Sequence, residues 1–153
     1  MALAGSMDLV TMTIPNRISI FLVAAFFVMA PLVGIGLEQL LVHVATGMIM
    51  LSLGIVMFAR GWIGGGDAKI FAAASLWFGF AFLGEFALYS CVAGGILTVG
   101  LLVFRLLPLP QMLVKERWIA RLHHRQTGVP YGIAMAAAAL MVYPQTPWLQ
   151  ALI

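Results

Sequence analysis

Charged side chains are scarce in this sequence. Lysine, arginine, aspartate and glutamate make up 8% of its 153 residues, whereas 63% are hydrophobic. A water-soluble domain carries about 25% charged residues, and this chain has too little polar surface to cover such a globule. The composition therefore excludes a soluble domain. It predicts an all-α integral membrane protein that forms one domain over residues 1–153.

Cysteine is almost absent, because Cys91 stands alone inside an apolar run. One thiol forms neither an internal disulfide framework nor a Cys-x-x-Cys zinc site. The adjacent His123 and His124 cannot form a helical i, i+4 metal pair, so we expect no metal and no cofactor. A net charge of only +3 gives nucleic-acid binding little support.

Long apolar runs fill most of the chain, and each predicts a membrane-spanning helix of about 20 residues. The pattern gives about five spans, at residues 18–37, 39–59, 67–85, 86–107 and 129–143. Pro31 should kink the first span, and Pro108 should end the fourth. Ala134 and Ala138, four residues apart in the last span, predict tight helix packing rather than exposure to lipid.

Basic residues fall on one side of the bilayer under this five-span reading. That side receives all eight of them: Arg17, Arg60, Lys69, Arg105, Lys115, Arg117, Arg121 and Arg125. The other side receives Glu38 and Glu85, which we interpret as solvated boundary residues. The positive-inside rule makes the basic side cytoplasmic, and Asp8 and Asp67 lie on it as well.

Two segments near the end of the chain suggest contact with the membrane surface. Residues 115–125 combine basic side chains with Trp118 and Leu122, which favours an amphipathic helix on anionic lipid. Trp148 and its apolar neighbours are expected in the membrane interface, where tryptophan is enriched.

The stretch Gly64-Gly65-Gly66-Asp67-Ala68-Lys69 allows two interpretations. In the structural one, the glycines form a turn, the aspartate caps the next helix and the lysine anchors the surface. In the functional one, an acidic side chain at the edge of the bilayer costs free energy and therefore indicates a functional site. Three bare glycines would let an extended peptide lie alongside the backbone, and the lysine would tune the ionisation of the acid.

Asp8 is the second candidate acid, although it is also compatible with a solvated residue before the first span. Two close carboxylates do not ionise together easily, so one proton is shared between them. The ionised acid can then take a proton from water while the other protonates the departing group. Asn16 either holds the Asp8 loop or is an ordinary first-turn residue.

Three motifs in chain order resemble the type IV prepilin peptidase family of GxGD-type aspartic proteases. The glycine run resembles the family's Gly-x-Gly-Asp-x-Lys. Asp8 with Ile14-Pro15-Asn16 is similar to its first catalytic aspartate and the Ile-Pro-Asn that follows. Pro130-Tyr131-Gly132-Ile133-Ala134 resembles the Pro-Tyr-Gly-x-Ala that opens the family's last helix.

The resemblance implies an aspartic endopeptidase that removes leader peptides from prepilins and pseudopilins at the cytoplasmic face of the bacterial inner membrane. It implies catalytic roles for Asp8 and Asp67, with Gly64, Gly65, Gly66, Lys69 and Asn16 shaping the site. The small size points to the branch that serves Flp-type (tight-adherence) pili, without methyltransferase activity.

One departure from that family and one alternative function complete the expectations. Only seven residues precede Asp8, so we expect the helix that usually precedes this aspartate to be missing. The alternative function is a non-catalytic membrane scaffold or a small-solute carrier in which both acids are structural. A carrier more often places its charges at the bilayer midplane within broken helices, whereas these acids lie at the ends of spans.

Overall fold

The computed structural model describes residues 1–110, 113 and 115–150, and over these residues the chain is helical with no strand. The helices are α1 (Ala2–Thr11), α2 (Asn16–Leu32), α3 (Leu37–Ala59), α4 (Gly65–Leu106), α5 (Arg117–His123), α6 (Tyr131–Val142) and α7 (Pro147–Gln150), with a 3-10 turn at Tyr143–Gln145. The predicted all-α class is confirmed. Residues 151–153, the end of the predicted domain and of the apolar stretch around Trp148, lie outside the described residues.

α3 and α4 are both long and apolar enough to cross a membrane, and the apolar α2 is shorter at 17 residues. Large apolar side chains cover their outer surfaces, and Leu32, Phe21 and Ile96 are each about 70% exposed. An apolar surface this extensive is suited to lipid rather than to water. The chain is therefore an all-helical membrane protein, as its composition predicted.

α4 is 42 residues long, about twice the length that the hydrocarbon core requires. Its backbone breaks at Gly79, where φ is 60° and ψ is −175°. Only glycine adopts this conformation readily, and a Cβ at this position would lie 2.9 Å from Cε1 of His43. The predicted boundary between the third and fourth spans, at Glu85, was therefore wrong. Gly84 before it has open space around it, and the helix runs through both residues.

Side-chain donors occupy the carbonyls that precede this break. Such a break interrupts the i to i−4 hydrogen bonds of a helix, and the freed groups need other partners in an apolar setting. Nδ1 of His43 donates to the Leu76 carbonyl at 2.8 Å, and Nε1 of Trp148 donates to the Trp77 carbonyl at 2.6 Å. Trp148 is only 2% exposed and packs on Phe26 and Trp77. Trp148 is therefore buried in the bundle rather than exposed to lipid, and its position at the depth of the membrane interface stays a prediction.

The main core lies where α1, α6 and the parts of α4 on both sides of the Gly79 break meet. It is built from small and aromatic side chains: Ala4, Ile70, Ala74, Phe78, Phe86, Met135, Ala138, Ala139 and Val142. Ala134 and Ala138 are buried, at 3% and 0% exposure, which confirms the predicted tight packing of α6. Small side chains let helices approach closely within a membrane, so α6 is held centrally although it is short.

The ends of α2 and α4 and one contact of α5 test further predictions. α4 ends before Pro108, as predicted. α2 ends at Leu32, one residue after Pro31, so this proline lies at the end of the helix. The predicted kink at Pro31, within a span that continues to residue 37, was therefore wrong. In α5, Arg121 donates to the Val10 carbonyl at 3.2 Å, so one of the basic residues assigned to lipid holds the protein backbone instead. Contact of this segment with lipid stays a prediction.

We expect Gly79→Ala to destabilise the protein by about 1–3 kcal/mol, because the new methyl group meets the His43 ring and the backbone conformation disfavours a Cβ. Thermal unfolding in detergent measures the effect. Gly84→Ala is the control, since nothing lies within 4 Å of a Cβ there and alanine favours a helix. Equal unfolding temperatures for the two variants would contradict this account of the break.

Candidate active site

The glycine run forms the start of α4, with Gly64 at the N-cap and Asp67 in the first turn. The Asp67 carboxylate turns back toward the N-cap and interacts with the Gly64 amide. Each glycine also admits a close neighbour. A Cβ on Gly65 would lie 3.2 Å from the Phe58 ring, and one on Gly66 would lie 3.3 Å from Cβ of Ile14. The run is therefore both a turn and a packing surface, and the Asp67 carboxylate is folded back over Gly64 at the N-cap of its own helix.

Asp8 reaches its position because α1 lies directly against α6. A Cβ on Gly5 would approach the Ala136 side chain to 2.9 Å, so the two helices touch at glycine. Asp8, one turn further along α1, is 5% exposed, and its Oδ2 accepts the Gly132 N–H at 2.7 Å. Gly132 is in the first turn of α6, where free N–H groups and the positive helix end stabilise a carboxylate.

The two acids come from distant parts of the chain and act on each other. The charge of Asp8 repels that of Asp67, and the Gly66–Ile14 contact holds the start of α4 against the segment that follows α1. Burial raises the pKa of Asp8, and the Gly132 N–H opposes this only in part. Capping alone does not call for such a pair, because two neighbouring carboxylates destabilise each other. The arrangement suits a shared proton.

Lys69 and Asn16 meet beside this pair, because Nζ of Lys69 donates to Oδ1 of Asn16 at 3.0 Å. The contact joins the start of α2 to α4, so Asn16 fixes the helix that follows the Asp8 loop. All the residues predicted to shape the site therefore belong to one end of the helix bundle. Within the described part of the chain, no three His, Cys, Asp or Glu side chains are grouped so that they could hold a metal ion.

Gly132 is the site residue that the sequence analysis did not select. Its sequence signal was present, since it lies in the Pro130-Tyr131-Gly132 stretch singled out as the start of a helix, and α6 does begin there. A Cβ at Gly132 would lie 2.8 Å from both Cβ and Oδ2 of Asp8. This position thus requires glycine for a tertiary reason that no local pattern reveals.

An apolar groove of about 650 Å³ begins at Asn16 and Lys69, the latter two residues after Asp67, and runs between α2 and α3. Its walls include Ile20, Phe27 and Met48, and its floor is Ala72 and Ala73 of α4. The Lys69–Asn16 pair lies at one end. From Asn16 to Phe27 the groove follows α2 for about three helical turns. It can therefore take an apolar helical segment whose end lies near Asp67.

A comparison with known protein families identifies the family of the chain. Residues 1–99 match the type IV leader peptidase family, a stretch that contains both acids and the whole glycine run. The chain belongs to this family, and its membership makes it a protease of the leader-peptidase kind. Neither a search of curated proteins nor one of solved structures gives a match.

We expect Gly132→Ala to displace the Asp8 carboxylate and break its hydrogen bond, because the added methyl group would overlap Asp8. The cost should be about 1–3 kcal/mol, the usual penalty for clashing or unpaired buried groups. Gly100→Ala in α4 is the matched control, since its surroundings are open. Thermal unfolding in detergent compares the two, and a Gly132→Ala protein as stable as the control would contradict the described contact.

Proposed function

We propose that this chain is an aspartic endopeptidase that removes the leader peptide from prepilin-like precursors, with Asp8 and Asp67 as its catalytic pair. The observation that carries the proposal is the placement of two carboxylates from separate helices at one end of the bundle, where the Gly132 N–H holds Asp8 and the start of α4 packs on Ile14. Membership in the leader-peptidase family supports the same reaction class.

In the proposed mechanism, one proton is shared by the pair. The ionised carboxylate takes a proton from a water molecule, which attacks the scissile carbonyl carbon. The protonated carboxyl group then gives its proton to the departing amine as the peptide bond breaks. Because burial raises the pKa of Asp8 and the charges of the two acids repel each other, the pair keeps one proton at pH values where a solvated aspartate would lose it, as this mechanism requires.

The substrate would lie partly in the groove between α2 and α3. We place the apolar helix of the precursor against Ala72 and Ala73, with its leader junction leaving the groove at the Lys69–Asn16 end. Phe58 and Ile14 occupy the space beside Gly65 and Gly66. We therefore place the extended peptide beside Gly64, where a Cβ would lie 3.0 Å from Oδ2 of Asp67 and the bare backbone lets a peptide approach. The bilayer would hold the precursor in register, and the acids would meet its bond at the membrane surface.

The proposed setting is the bacterial inner membrane, with a multi-pass chain acting as one domain and the acids facing the cytoplasm. Under the five-span reading of the sequence, all eight basic residues fall on one side, which favours this orientation. The proposed substrates are Flp-type prepilins and pseudopilins, in keeping with the small size of the chain. Methyl transfer is not part of the proposed activity.

We expect Asp8→Asn and Asp67→Asn each to abolish leader removal. The rate of cleavage should fall by roughly a hundredfold to ten-thousandfold, the usual contribution of a general acid or base. Each substitution keeps size and a hydrogen-bond acceptor but removes the titrating group. Co-expression with an Flp-type prepilin and a gel-mobility assay measures processing.

The controls for this experiment are Glu38→Gln and Glu85→Gln, which remove exposed acids far from the pair along the chain. Both controls should process the precursor normally. If the two Asp→Asn variants also process it normally, the acids are helix caps and the chain is better explained as a scaffold.

Ala24→Trp should narrow the groove and raise KM for a precursor by about tenfold, with kcat less affected, because Ala24 lies on its wall. Val28→Trp is the control on the same helix, since Val28 is 62% exposed and does not line the groove. Steady-state cleavage in detergent measures both constants. An equal effect of the two tryptophans would remove the groove from the proposed binding mode.

A further inference from the structure

Arg105, in the last turn of α4, spreads its guanidinium group over the segment that leads into α6. Nε donates to the Leu122 carbonyl at 2.8 Å, and one terminal nitrogen, Nη2, donates to the carbonyls of Thr127 and Gly128, each at 2.9 Å. The side chain is half-buried. One arginine thus fixes both ends of the turn between α5 and α6.

Only a short stretch of chain separates the carbonyls that bind Arg105 from the Asp8 carboxylate. Four residues after Gly128, the Gly132 N–H holds the Asp8 carboxylate. The part of α4 that follows the Gly79 break also contacts Tyr131, which lies between Gly128 and Gly132. The Tyr131 ring lies over Gly94, and its hydroxyl is 3.3 Å from that of Thr98. The position of the Gly132 amide is therefore set from α4 rather than by α6 alone.

We propose that Arg105 is a positioning residue of the active site, which fixes the start of α6 so that the Gly132 amide holds Asp8 in register with Asp67. The role of Arg105 in catalysis rests on the proposed function. A positive charge at a helix C-terminus would by itself be served equally well by lysine. The planar fork is what binds three carbonyls at once, and lysine cannot reproduce it.

The test compares Arg105→Lys and Arg105→Gln with the wild-type chain in detergent. Both variants should lower kcat by roughly tenfold to a hundredfold, the scale expected for a misplacement of about 1 Å in a catalytic group. KM should stay unchanged, because the groove is untouched. Arg60→Gln is the matched control, since Arg60 is exposed and lies over Trp62 rather than against this turn, and it should keep full kcat.

Limited trypsin digestion gives a second readout that needs no peptidase activity. Arg125 lies within the turn whose two ends Arg105 binds, so trypsin cleavage after Arg125 should be faster in both Arg105 variants and unchanged in Arg60→Gln. Faster digestion together with lower kcat supports the assignment. Unchanged digestion, or an Arg105→Lys variant with wild-type kcat, overturns it.

The proposed function can fail separately from this inference. A wild-type chain that leaves every tested precursor uncut would overturn the proposed function, and the catalytic part of the Arg105 assignment with it. A wild-type chain that cleaves, an Asp8→Asn variant that does not, and an Arg105→Gln variant with full kcat would overturn the Arg105 assignment alone.

Discussion

The contact between α1 and α6 is the constraint on which the rest of the site depends. Gly5 and Gly132 remove the side chains that would keep these helices apart, and Asp8 then reaches the first turn of α6. A carboxylate this well buried is costly in a membrane protein. One amide and the positive end of a helix offset only part of that cost, which leaves an acid that readily holds a proton.

At this end of the bundle, the stability of the fold and the reactivity of the two acids place conflicting requirements on Asp8 and Asp67. Asp8 and Asp67 each interact with the start of a helix, and in that sense each serves the fold. Their mutual repulsion serves nothing in the fold. Functional sites are where proteins retain such local conflicts. The structural and catalytic interpretations of these acids are therefore not exclusive, because an acid that interacts with a helix start can also share a proton with its neighbour.

The sequence predicted the features that depend on composition and local pattern. The all-helical membrane class followed from the lack of charge, and the start of α4 followed from the glycine run. Features fixed by tertiary contacts escaped prediction. The break fell at Gly79 rather than Glu85 because the His43 ring occupies the space beside that glycine. Hydropathy does not distinguish Gly79 from Gly84, since both lie in apolar sequence.

Trp148 and Gly132 show the same limit in different ways. Tryptophan favours membrane interfaces as a class, yet Trp148 is buried because its indole N–H has a carbonyl acceptor inside the bundle. Gly132 carried a motif signal, but its role depends on a residue more than a hundred positions earlier. Chemistry that requires two distant segments is invisible until their packing is known.

The interruption of α4 also constrains the order in which the chain can assemble in lipid. The Leu76 carbonyl is satisfied from α3, which precedes it, whereas the Trp77 carbonyl depends on an indole far later in the chain. A nascent chain inserted only as far as α4 therefore lacks one of these donors, and an unbroken helix there would leave fewer groups unpaired. The broken form of α4 therefore has its full set of hydrogen bonds only when Trp148 is packed against Trp77.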